Sequence, residues 1–140
     1  METKREEIIR KWFSMWLSKE DGGILEPFSP NAVYIESWGP EYHGSEKIRH
    51  WFQEWNERGN VLKWEIQGFF HSGDQTTVCW FFSCRMKDGT EQAFDGISLI
   101  TWDMNGKIAE LKEYGCNIER YDPYADGENP VFRDEKSLWF

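Results

Sequence analysis

Residues 30–55, PNAVYIESWGPEYHGSEKIRHWFQEW, decide how the rest of the chain is arranged. The first part of the stretch predicts a strand from Asn31 to Trp38, and the Gly-Pro pair after it marks a turn. Apolar residues then recur at helical spacing, and Ser45 is a suitable N-cap immediately before them. The stretch is therefore expected to fold as a strand, a turn and a helix that lie close together.

One face of this predicted strand is aromatic and carries a carboxylate in its middle. Side chains alternate between the two faces of a strand, so Tyr34, Glu36 and Trp38 are expected on the same side. The following helix presents Trp51 and Trp55, four residues apart, on one of its own faces. Because the turn between strand and helix is short, both aromatic faces are expected to line one space. That space is the predicted ligand pocket.

The composition fits one globular domain and argues against a nucleic-acid function. The chain has 140 residues, 39% of them hydrophobic, with nine Trp, ten Phe and five Tyr, which is enough to fill a core. Its net charge of -9 disfavours binding to a phosphate backbone, which requires clustered Lys and Arg. No apolar run approaches the roughly 20 residues that span a bilayer, and the N-terminus lacks the apolar segment of a signal peptide. We therefore expect a cytoplasmic protein.

The cysteines and histidines indicate neither a disulfide nor a metal site. Cys79 and Cys84 are expected on one strand, facing opposite ways and roughly 16 Å apart at about 3.3 Å per residue, so they cannot bridge. The three histidines lack the spacing of paired zinc ligands, and the sequence has no Gly-rich phosphate loop or Gly-x-Ser-x-Gly elbow. We expect reduced thiols, no metal, no nucleotide and no other cofactor.

The remaining elements follow from the period of the hydrophobic residues. Residues 3–19 carry apolar side chains at helical spacing and predict an amphipathic N-terminal helix. After the second helix the period becomes alternating, which predicts strands over 61–71, 76–86, 91–102 and 107–115. These four strands are expected to form an antiparallel meander that follows the helices.

The third of these strands is apolar on both faces. Ile97 and Leu99 lie on one face, and Phe94, Ile100 and Trp102 lie on the other. Helices on one side of the sheet would leave the second face in contact with water. We therefore expect a second copy of the chain to cover that face, which predicts a homodimer.

The domain is predicted to span residues 1–116, and residues 117–140 form a C-terminal tail. This tail closes on the apolar sequence Leu138-Trp139-Phe140. A polar segment stays ordered only through contacts, so the last three residues are expected to pack on the domain or on a partner subunit.

Three local motifs in this order of elements resemble the nuclear transport factor 2-like superfamily. Pro30-Asn31-Ala32-Val33 leading to Glu36 resembles the beginning of its first strand. Tyr42-His43-Gly44-Ser45-Glu46-Lys47-Ile48 resembles its x-G-x-x-x-I helix start. Asp103-Met104-Asn105-Gly106-Lys107-Ile108 resembles its D-G-K-I hairpin, with Asn105 in place of the usual Asp. The resemblance covers roughly residues 3–116 and is nearest to the SnoaL-like and ketosteroid isomerase-like branches.

This resemblance implies an α+β fold of the NTF2-like, or cystatin-like, kind. A cone-shaped, bent antiparallel sheet would wrap around a long N-terminal helix, and an apolar pocket would open at the mouth of the cone. Members of the superfamily include isomerases, cyclases, dehydratases, epoxide hydrolases, ligand binders and dimerisation modules. The fold therefore does not select the function.

Three acids are the candidate catalytic residues. In the isomerase branch a carboxylate at the end of the first strand is the base, and Glu36 matches it. In the epoxide hydrolase branch a carboxylate in the last strand activates water, and Glu113 matches that one. Asp95 is added because it shares a strand face with apolar residues. A carboxylate among tryptophans is desolvated, which raises its pKa toward neutral pH; the alternative is that these acids lie in water or pair with Arg85 or Lys112.

The candidate ligand-binding residues are mostly aromatic and come from both helices and several strands. An apolar stripe at helical spacing, such as Trp12 and Trp16, is more often core than pocket. The predicted lining consists of Trp12, Trp16, Tyr34, Trp38, Tyr42, Trp51, Trp55, Trp64, Ile97 and Leu111.

Two functions are open at this level. In the first, the protein is a cofactor-independent isomerase, lyase or hydrolase that acts on a small hydrophobic molecule with Glu36 as general base. In the second, it binds such a molecule without turnover, or serves as a dimerisation module. The tyrosine that the isomerase branch has on its first helix is matched here by Trp12 and Trp16, which disfavours isomerase activity. Carboxylates that point to bulk water would favour the second function.

Overall fold

This computed structural model describes residues 1–133, which contain two helices and six strands. In chain order the elements are α1 (Glu2–Ser18), β1 (Phe28–Ile35), β2 (Glu41–His43), α2 (Ser45–Arg58), β3 (Gly59–Ser72), β4 (Gln75–Met86), β5 (Glu91–Trp102) and β6 (Ile108–Asn117). The predicted α+β class is confirmed, because both helices pack on a single six-stranded sheet.

Helix α1 agrees with the predicted helix to within one residue at each end. It buries one face, formed by Ile9, Trp12, Phe13, Met15 and Trp16. Phe13 stacks on Trp64 of β3 with 3.9 Å between the ring centroids, which fixes the helix across the sheet. The helix ends where Lys19 takes a left-handed conformation, with a φ of 59°. The Lys19 ammonium donates a hydrogen bond to the Asn56 carbonyl at 3.0 Å, which ties the two helices together.

Strand β1 lies three residues earlier than predicted, so Glu36 and Trp38 follow the strand instead of belonging to it. The Glu36 amide donates to the Pro40 carbonyl at 2.9 Å, and the Gly39 amide donates to the Glu36 carbonyl at 3.1 Å. These bonds close a turn, after which β2 pairs back on β1. Within this turn Gly39 takes a φ of 122°, a backbone conformation that residues with a Cβ rarely adopt.

Helix α2 begins at Ser45, which is its first helical residue and not its N-cap. Gly44 holds the cap position with a φ of 92°, and Ser45 is buried. A Cβ on Gly44 would meet the Pro30 carbonyl oxygen at 3.3 Å, so the close approach to β1 also favours glycine there. The helix ends at Arg58, and the chain continues directly into β3.

The strands lie in the order β2-β1-β6-β5-β4-β3. The four strands from β3 to β6 form the predicted antiparallel meander. Only β1 breaks the antiparallel pattern among the paired strands of residues 1–133, because it runs parallel to β6, with Tyr34 opposite Leu111. Strand β3 carries two register shifts, at residues 61–63 and 66–68, which bend the sheet around α1.

The pairing register decides which side chains of β5 face the core. Ser98, Ile100 and Trp102 are buried on the inner face. Side chains alternate along a strand, so Asp95 and Ile97 lie on the outer face. Of the two apolar faces predicted for this strand, the one with Ile100 and Trp102 faces the core, and the one with Ile97 faces outward.

The tail follows β6 along the surface of the domain. Arg120 forms an ion pair with Asp95 at 2.8 Å, and the Val131 amide donates to the Pro123 carbonyl at 2.8 Å. The predicted packing of residues 138–140 lies outside the described residues. Cys79, Cys84 and Cys116 are unpaired thiols. None of the helices within residues 1–133 combines the length and the apolar content needed to cross a membrane.

Candidate functional site

A cavity of about 390 Å³ opens between α2 and the inner face of the sheet. Its wall is mainly aromatic, with two acids, one arginine and a few neutral polar groups. The lining residues are Trp16, Tyr34, Glu36, Ser37, Trp38, Tyr42, Trp51, Trp55, Arg58, Trp64, Trp80, Phe82, Cys84, Met86, Thr90, Gln92, Phe94 and Glu113. This size and composition suit a small organic molecule.

The aromatic rings of the wall hold one another in place. Tyr42 stacks on Trp51 with 4.4 Å between the ring centroids, and Trp51 packs at 5.0 Å against Trp16 of α1. Trp16 also contacts Trp55 at 5.4 Å, edge to face. Contacts of this kind add to the free energy of burial and fix ring orientation. The wall is thus built by side-chain packing between the two helices and β2.

Trp80 is positioned from the sheet by two local features. Its indole N–H donates to the Ser98 hydroxyl at 2.9 Å in a buried position. Its ring lies flat on Gly96, where a Cβ would come within 2.3 Å of the six-membered ring. Gly96 is therefore required by close approach, because any larger residue would push the ring toward the cavity.

Glu113 is held in the lining of the cavity by Tyr34. The Tyr34 hydroxyl donates to Glu113 Oε2 at 2.7 Å. The parallel pairing of β1 and β6 brings these residues together from positions 79 apart in sequence. Burial raises the pKa of Glu113 to about 8, and the negative charge of Glu36 adds to the increase. Glu113 therefore carries a proton through most of the neutral range.

Glu36 is held at the cavity wall by Tyr42. The Tyr42 hydroxyl donates to Glu36 Oε2 at 2.7 Å. Burial raises the pKa of Glu36 also, but hydrogen bonds from Tyr42 and Trp38 and the positive charge of Arg58 oppose that increase. Glu36 thus has three groups that stabilise its ionised form, whereas Tyr34 is the single such group acting on Glu113.

The two tyrosine hydroxyls stay protonated beside these acids. Burial, together with the adjacent Glu113, raises the pKa of Tyr34 well above its ordinary value. Burial and Glu36 raise the pKa of Tyr42 in the same way. Both hydroxyls therefore act as hydrogen-bond donors at physiological pH, and each is used by one carboxyl group.

Arg58 lies at the end of α2 where the cavity opens. Its guanidinium makes two hydrogen bonds to Glu54, at 2.7 and 2.9 Å, in a bidentate ion pair. More than half of the Arg58 side chain is exposed, so it belongs to the rim of the site and not to its interior. Its charge is largely balanced by Glu54.

Most of the predicted site residues meet at this cavity. Nine of the thirteen candidates line it. The lining includes Trp16, Tyr34, Glu36, Trp38, Tyr42, Trp51, Trp55, Trp64 and Glu113. Trp38 is 60% exposed and forms the outer edge of the opening.

Four of the candidates lie elsewhere. Trp12 of α1 and Leu111 of β6 have no exposed surface. Both belong to the hydrophobic core and not to the cavity lining. Asp95 and Ile97 lie on the outer face of β5, since the register buries Ser98 and its alternate neighbours. Asp95 is also ion-paired to Arg120 of the tail.

Sequence reasoning missed nine lining residues. These are Ser37, Arg58, Trp80, Phe82, Cys84, Met86, Thr90, Gln92 and Phe94. Most lie on the hairpin of β4 and β5, where they occupy alternate positions on one face. The pairing of Phe82 with Phe94 across that hairpin was a usable signal, because directly paired residues share a face.

The described residues 1–133 contain no group of three or more His, Cys, Asp and Glu side chains placed to hold a metal ion. His71 bonds instead to Glu6 and Thr76, each at 2.9 Å, at the far end of the sheet. His43 pairs with the exposed Glu41 at 3.0 Å.

A known family and many solved structures match this chain. The model of the SnoaL-like domain matches residues 9–111. Structural neighbours share the NTF2-like, ketosteroid isomerase-like fold. A search of curated proteins found no match.

Three of the similar structures come from different organisms. A protein with a ketosteroid isomerase-like fold from Catenulispora acidiphila, in complex with trimethylamine, is 21% identical over 77% of this chain and 84% of its own, with a TM-score of 0.69. An LEH-like epoxide hydrolase from M. tuberculosis is 10% identical over 81% and 84%, with a TM-score of 0.72. A candidate SnoaL-like polyketide cyclase from Mesorhizobium loti is 27% identical over 78% and 97%, with a TM-score of 0.63.

Proposed function

The chain belongs to the SnoaL-like domain family, and from that premise we propose that its cavity binds a small hydrophobic molecule and performs acid–base chemistry on it without a cofactor. Glu36 is the general base, and protonated Glu113 is the hydrogen-bond and proton donor. The observation that supports this most directly is the presence in one cavity of two acids with different surroundings, each bonded to its own tyrosine.

The division of roles follows from the partners of each acid. Glu36 accepts a hydrogen bond from Tyr42, which stabilises its carboxylate, while burial keeps its pKa above the ordinary value. A carboxylate of raised pKa is a stronger proton acceptor than a carboxylate in water. Glu113, with a pKa of about 8, retains a proton that it can donate to a ligand from the side not bonded to Tyr34.

The reaction class that fits this pair is proton transfer beside a carbonyl group. Glu36 removes a proton from the carbon next to the carbonyl, and the electron pair of that C–H bond moves to the carbonyl oxygen. Glu113 donates a hydrogen bond to the enolate oxygen as its charge develops. Glu36 then returns the proton to the same or another carbon, which restores the enzyme and gives an exchanged or isomerised product.

The expected activity is measured as exchange of carbon-bound hydrogen. A panel of small cyclic and aromatic ketones is incubated with the protein in D₂O, and the loss of α-proton signals is followed by NMR. Glu36→Gln is expected to reduce the exchange rate by about 10² to 10⁴, the usual contribution of a general base.

The matched control is Glu110→Gln, which changes an exposed glutamate on β6 that does not line the cavity. This variant is expected to exchange at the rate of the unmodified protein. Equal rates for Glu36→Gln and the unmodified protein on a substrate that exchanges would rule out the role of Glu36.

Binding without turnover is the second candidate. Both tyrosine hydroxyls are already used by the carboxyl groups, so Glu113 is the principal remaining donor for a developing oxyanion. The relative from Catenulispora acidiphila, crystallised in complex with trimethylamine, supports ligand binding by proteins of this fold. A ligand that binds in the cavity with no exchange or conversion on any panel member would favour this function.

We also propose that the outer face of the sheet mediates homodimerisation. Phe70 and Tyr114 on this face are 68% and 43% exposed, and Phe81, Ile97 and Leu99 are partly exposed beside them. Apolar residues in such a contiguous group are typical of an interface. Light scattering is expected to give the mass of a dimer, and Ile97→Asp is expected to give a monomer; a monomeric unmodified protein would contradict the proposal.

A reducing compartment such as the cytoplasm remains our expected location. Its support is the set of three unpaired thiols, of which Cys116 is exposed. Cell fractionation with a tagged full-length chain tests it directly.

A further inference from the structure

We infer that the ligand of this cavity carries an alkylated ammonium group, so that the site recognises a small organic cation. The inference rests on the proposed function only in assigning the ligand to the same cavity. It names the chemical class of that ligand from the wall that surrounds it.

The first observation is the density of aromatic rings. Ten of the eighteen lining residues are Trp, Tyr or Phe. Rings are contributed from several directions, with Trp51 and Trp55 on α2, Trp64 and Trp80 on the sheet, and Tyr42 on β2. Several aromatic rings around one space attract a substituted ammonium ion through their electron-rich faces, and the alkyl groups of the ion fill the apolar volume.

The second observation is the sign of the charge inside the cavity. Glu36 and Glu113 both line it, and each is bonded to a neutral tyrosine instead of a cation. Arg58 is the single basic residue of the lining, and its guanidinium is engaged by Glu54 at the rim. The interior therefore offers carboxylate groups that a ligand cation can neutralise, with Glu113 contributing its charge once it has lost its proton. The net charge of -9 attracts cations at longer range as well.

An anionic ligand fits this arrangement poorly. The hydroxyl groups of Tyr34 and Tyr42 already donate to carboxyl groups. The indole nitrogen atoms of Trp16 and Trp64 are buried without a partner and have almost no accessible surface, so they do not face the open space. The other polar lining groups are neutral, and an anion would lie beside two acids.

Cation binding is expected to be coupled to the ionisation of Glu113. The charged and titratable groups of the cavity around it are Tyr34 on β1, Glu36, Tyr42, Arg58 and Cys84. Without a ligand, burial and Glu36 hold the pKa of Glu113 at about 8. A bound ammonium ion that offers no carbonyl oxygen to the Glu113 proton, such as choline, favours the carboxylate and lowers that pKa, so its binding releases a proton below pH 8.

The test uses a cation and its uncharged analogue of the same shape. Choline and 3,3-dimethylbutan-1-ol differ in a quaternary nitrogen that replaces a quaternary carbon. Isothermal titration of the full-length protein at pH 9 is expected to give choline at least a tenfold higher affinity than the alcohol. The affinity for choline is expected to rise about tenfold between pH 7 and pH 9, while that for the alcohol stays constant.

Two variants test whether Glu113 is the residue whose ionisation is coupled to choline binding. Glu113→Gln is expected to abolish the rise in choline affinity with pH and the proton release seen in buffers of different ionisation enthalpy. Glu110→Gln, on the same strand but exposed, is expected to retain both. Persistence of the pH dependence in Glu113→Gln would overturn the assignment to Glu113.

The outcomes separate this inference from the proposed function. Equal or tighter binding of the alcohol overturns the ammonium inference, yet leaves the cavity and its acid–base role intact. No binding of choline or tetramethylammonium at pH 9 also overturns the inference, whatever the ketone exchange experiment shows. Loss of exchange in Glu36→Gln, together with a preference of the unmodified protein for choline over the alcohol, supports both.

Discussion

The aromatic interior of this protein has two halves that are built from the same residue types. One half is packed solid, and the other surrounds a cavity. In the filled half, Trp12 packs edge to face on Phe28 at 4.8 Å and contacts Tyr34 at 5.9 Å, with no space left between them. In the open half, Trp51, Trp55 and their neighbours surround a cavity of about 390 Å³.

The two halves differ in the non-aromatic side chains that pack beside the rings. The filled half is completed by aliphatic side chains from several elements, including Ile9, Ile24, Ile48, Ile108 and Leu111. The open half has no Ile, Leu or Val in the lining that residues 1–133 form, and its non-aromatic positions include two carboxyl groups, one arginine and neutral polar side chains that favour contact with water or a polar ligand. Aromatic content alone therefore does not distinguish a core from a binding site.

The largest contrast is expected from removing one tryptophan in each half. Trp12→Ala leaves a cavity in the filled half and is expected to lower the free energy of unfolding by about 3–5 kcal/mol. Trp55→Ala removes a ring that is partly exposed and already borders empty space, so a loss of about 1–2 kcal/mol is expected. Urea denaturation at pH 7 measures both, and equal losses would mean that the open half is packed as tightly as the filled half.

The next effect is the pH dependence of stability that Glu113 gives to the open half. Its pKa rises from 4.5 to about 8 on folding, so the folded state holds the proton more tightly. The resulting stability is fully present below about pH 4.5 and is lost as pH rises through 8. After allowance for partial exposure to the cavity, we expect a decline of about 2–3 kcal/mol over this range.

Glu113→Gln removes this titration. The variant is expected to lose less stability between pH 5 and pH 9 than the unmodified protein, and to be the more stable of the two at pH 9. Urea denaturation at both pH values measures the difference. A parallel decline in the two proteins would show that another group is responsible.

A smaller effect is expected at Trp80, which lines the cavity from the sheet. Gly96→Ala places a methyl group against the Trp80 ring, and the overlap is expected to lower the free energy of unfolding by about 1–3 kcal/mol. The ring can relieve the overlap only by moving toward the cavity. Thermal denaturation measures the loss, and Gly68→Ala is the control, because a Cβ at Gly68 meets nothing within 4 Å.

The smallest effect is expected from the hydrogen bond that orients the same ring. Ser98→Ala leaves the Trp80 indole N–H buried without an acceptor, which is expected to lower the free energy of unfolding by about 1 kcal/mol. The measurement is urea denaturation together with the near-ultraviolet circular dichroism of the tryptophans. An unchanged free energy would show that Trp80 is fixed by packing alone.

The elements were predictable to a large extent because hydrophobic period and turn residues are local properties. Helix α1 and the meander from β3 to β6 agree with the predicted bounds to within a few residues. Glu36 was predicted at the pocket from strand alternation, but the structure places it there through a turn. Glu36 thus lines the cavity because the turn keeps it close to Tyr34, and not because it shares a strand face with Tyr34 as predicted.

The predictions for β5 fared less well for a definite physical reason. The strand is apolar on both faces, so alternation could not show which face is buried. The choice is made by the contacts of Trp80, whose ring covers Gly96 and whose N–H requires Ser98. This places Phe94 toward the cavity and turns Asp95 and Ile97 outward.

The sequence by itself determined the α+β class, the family, the order of the elements and the identity of Glu36 and Glu113 as the acids of interest. Those features depend on local periodicity and on short motifs, which require no knowledge of distant contacts. Only the tertiary structure decided that Tyr34 reaches Glu113, that Trp12 and Leu111 fill the core, and that the hairpin of β4 and β5 forms a cavity wall. These outcomes depend on strand register between distant segments, where a shift of one residue moves every side chain to the other face.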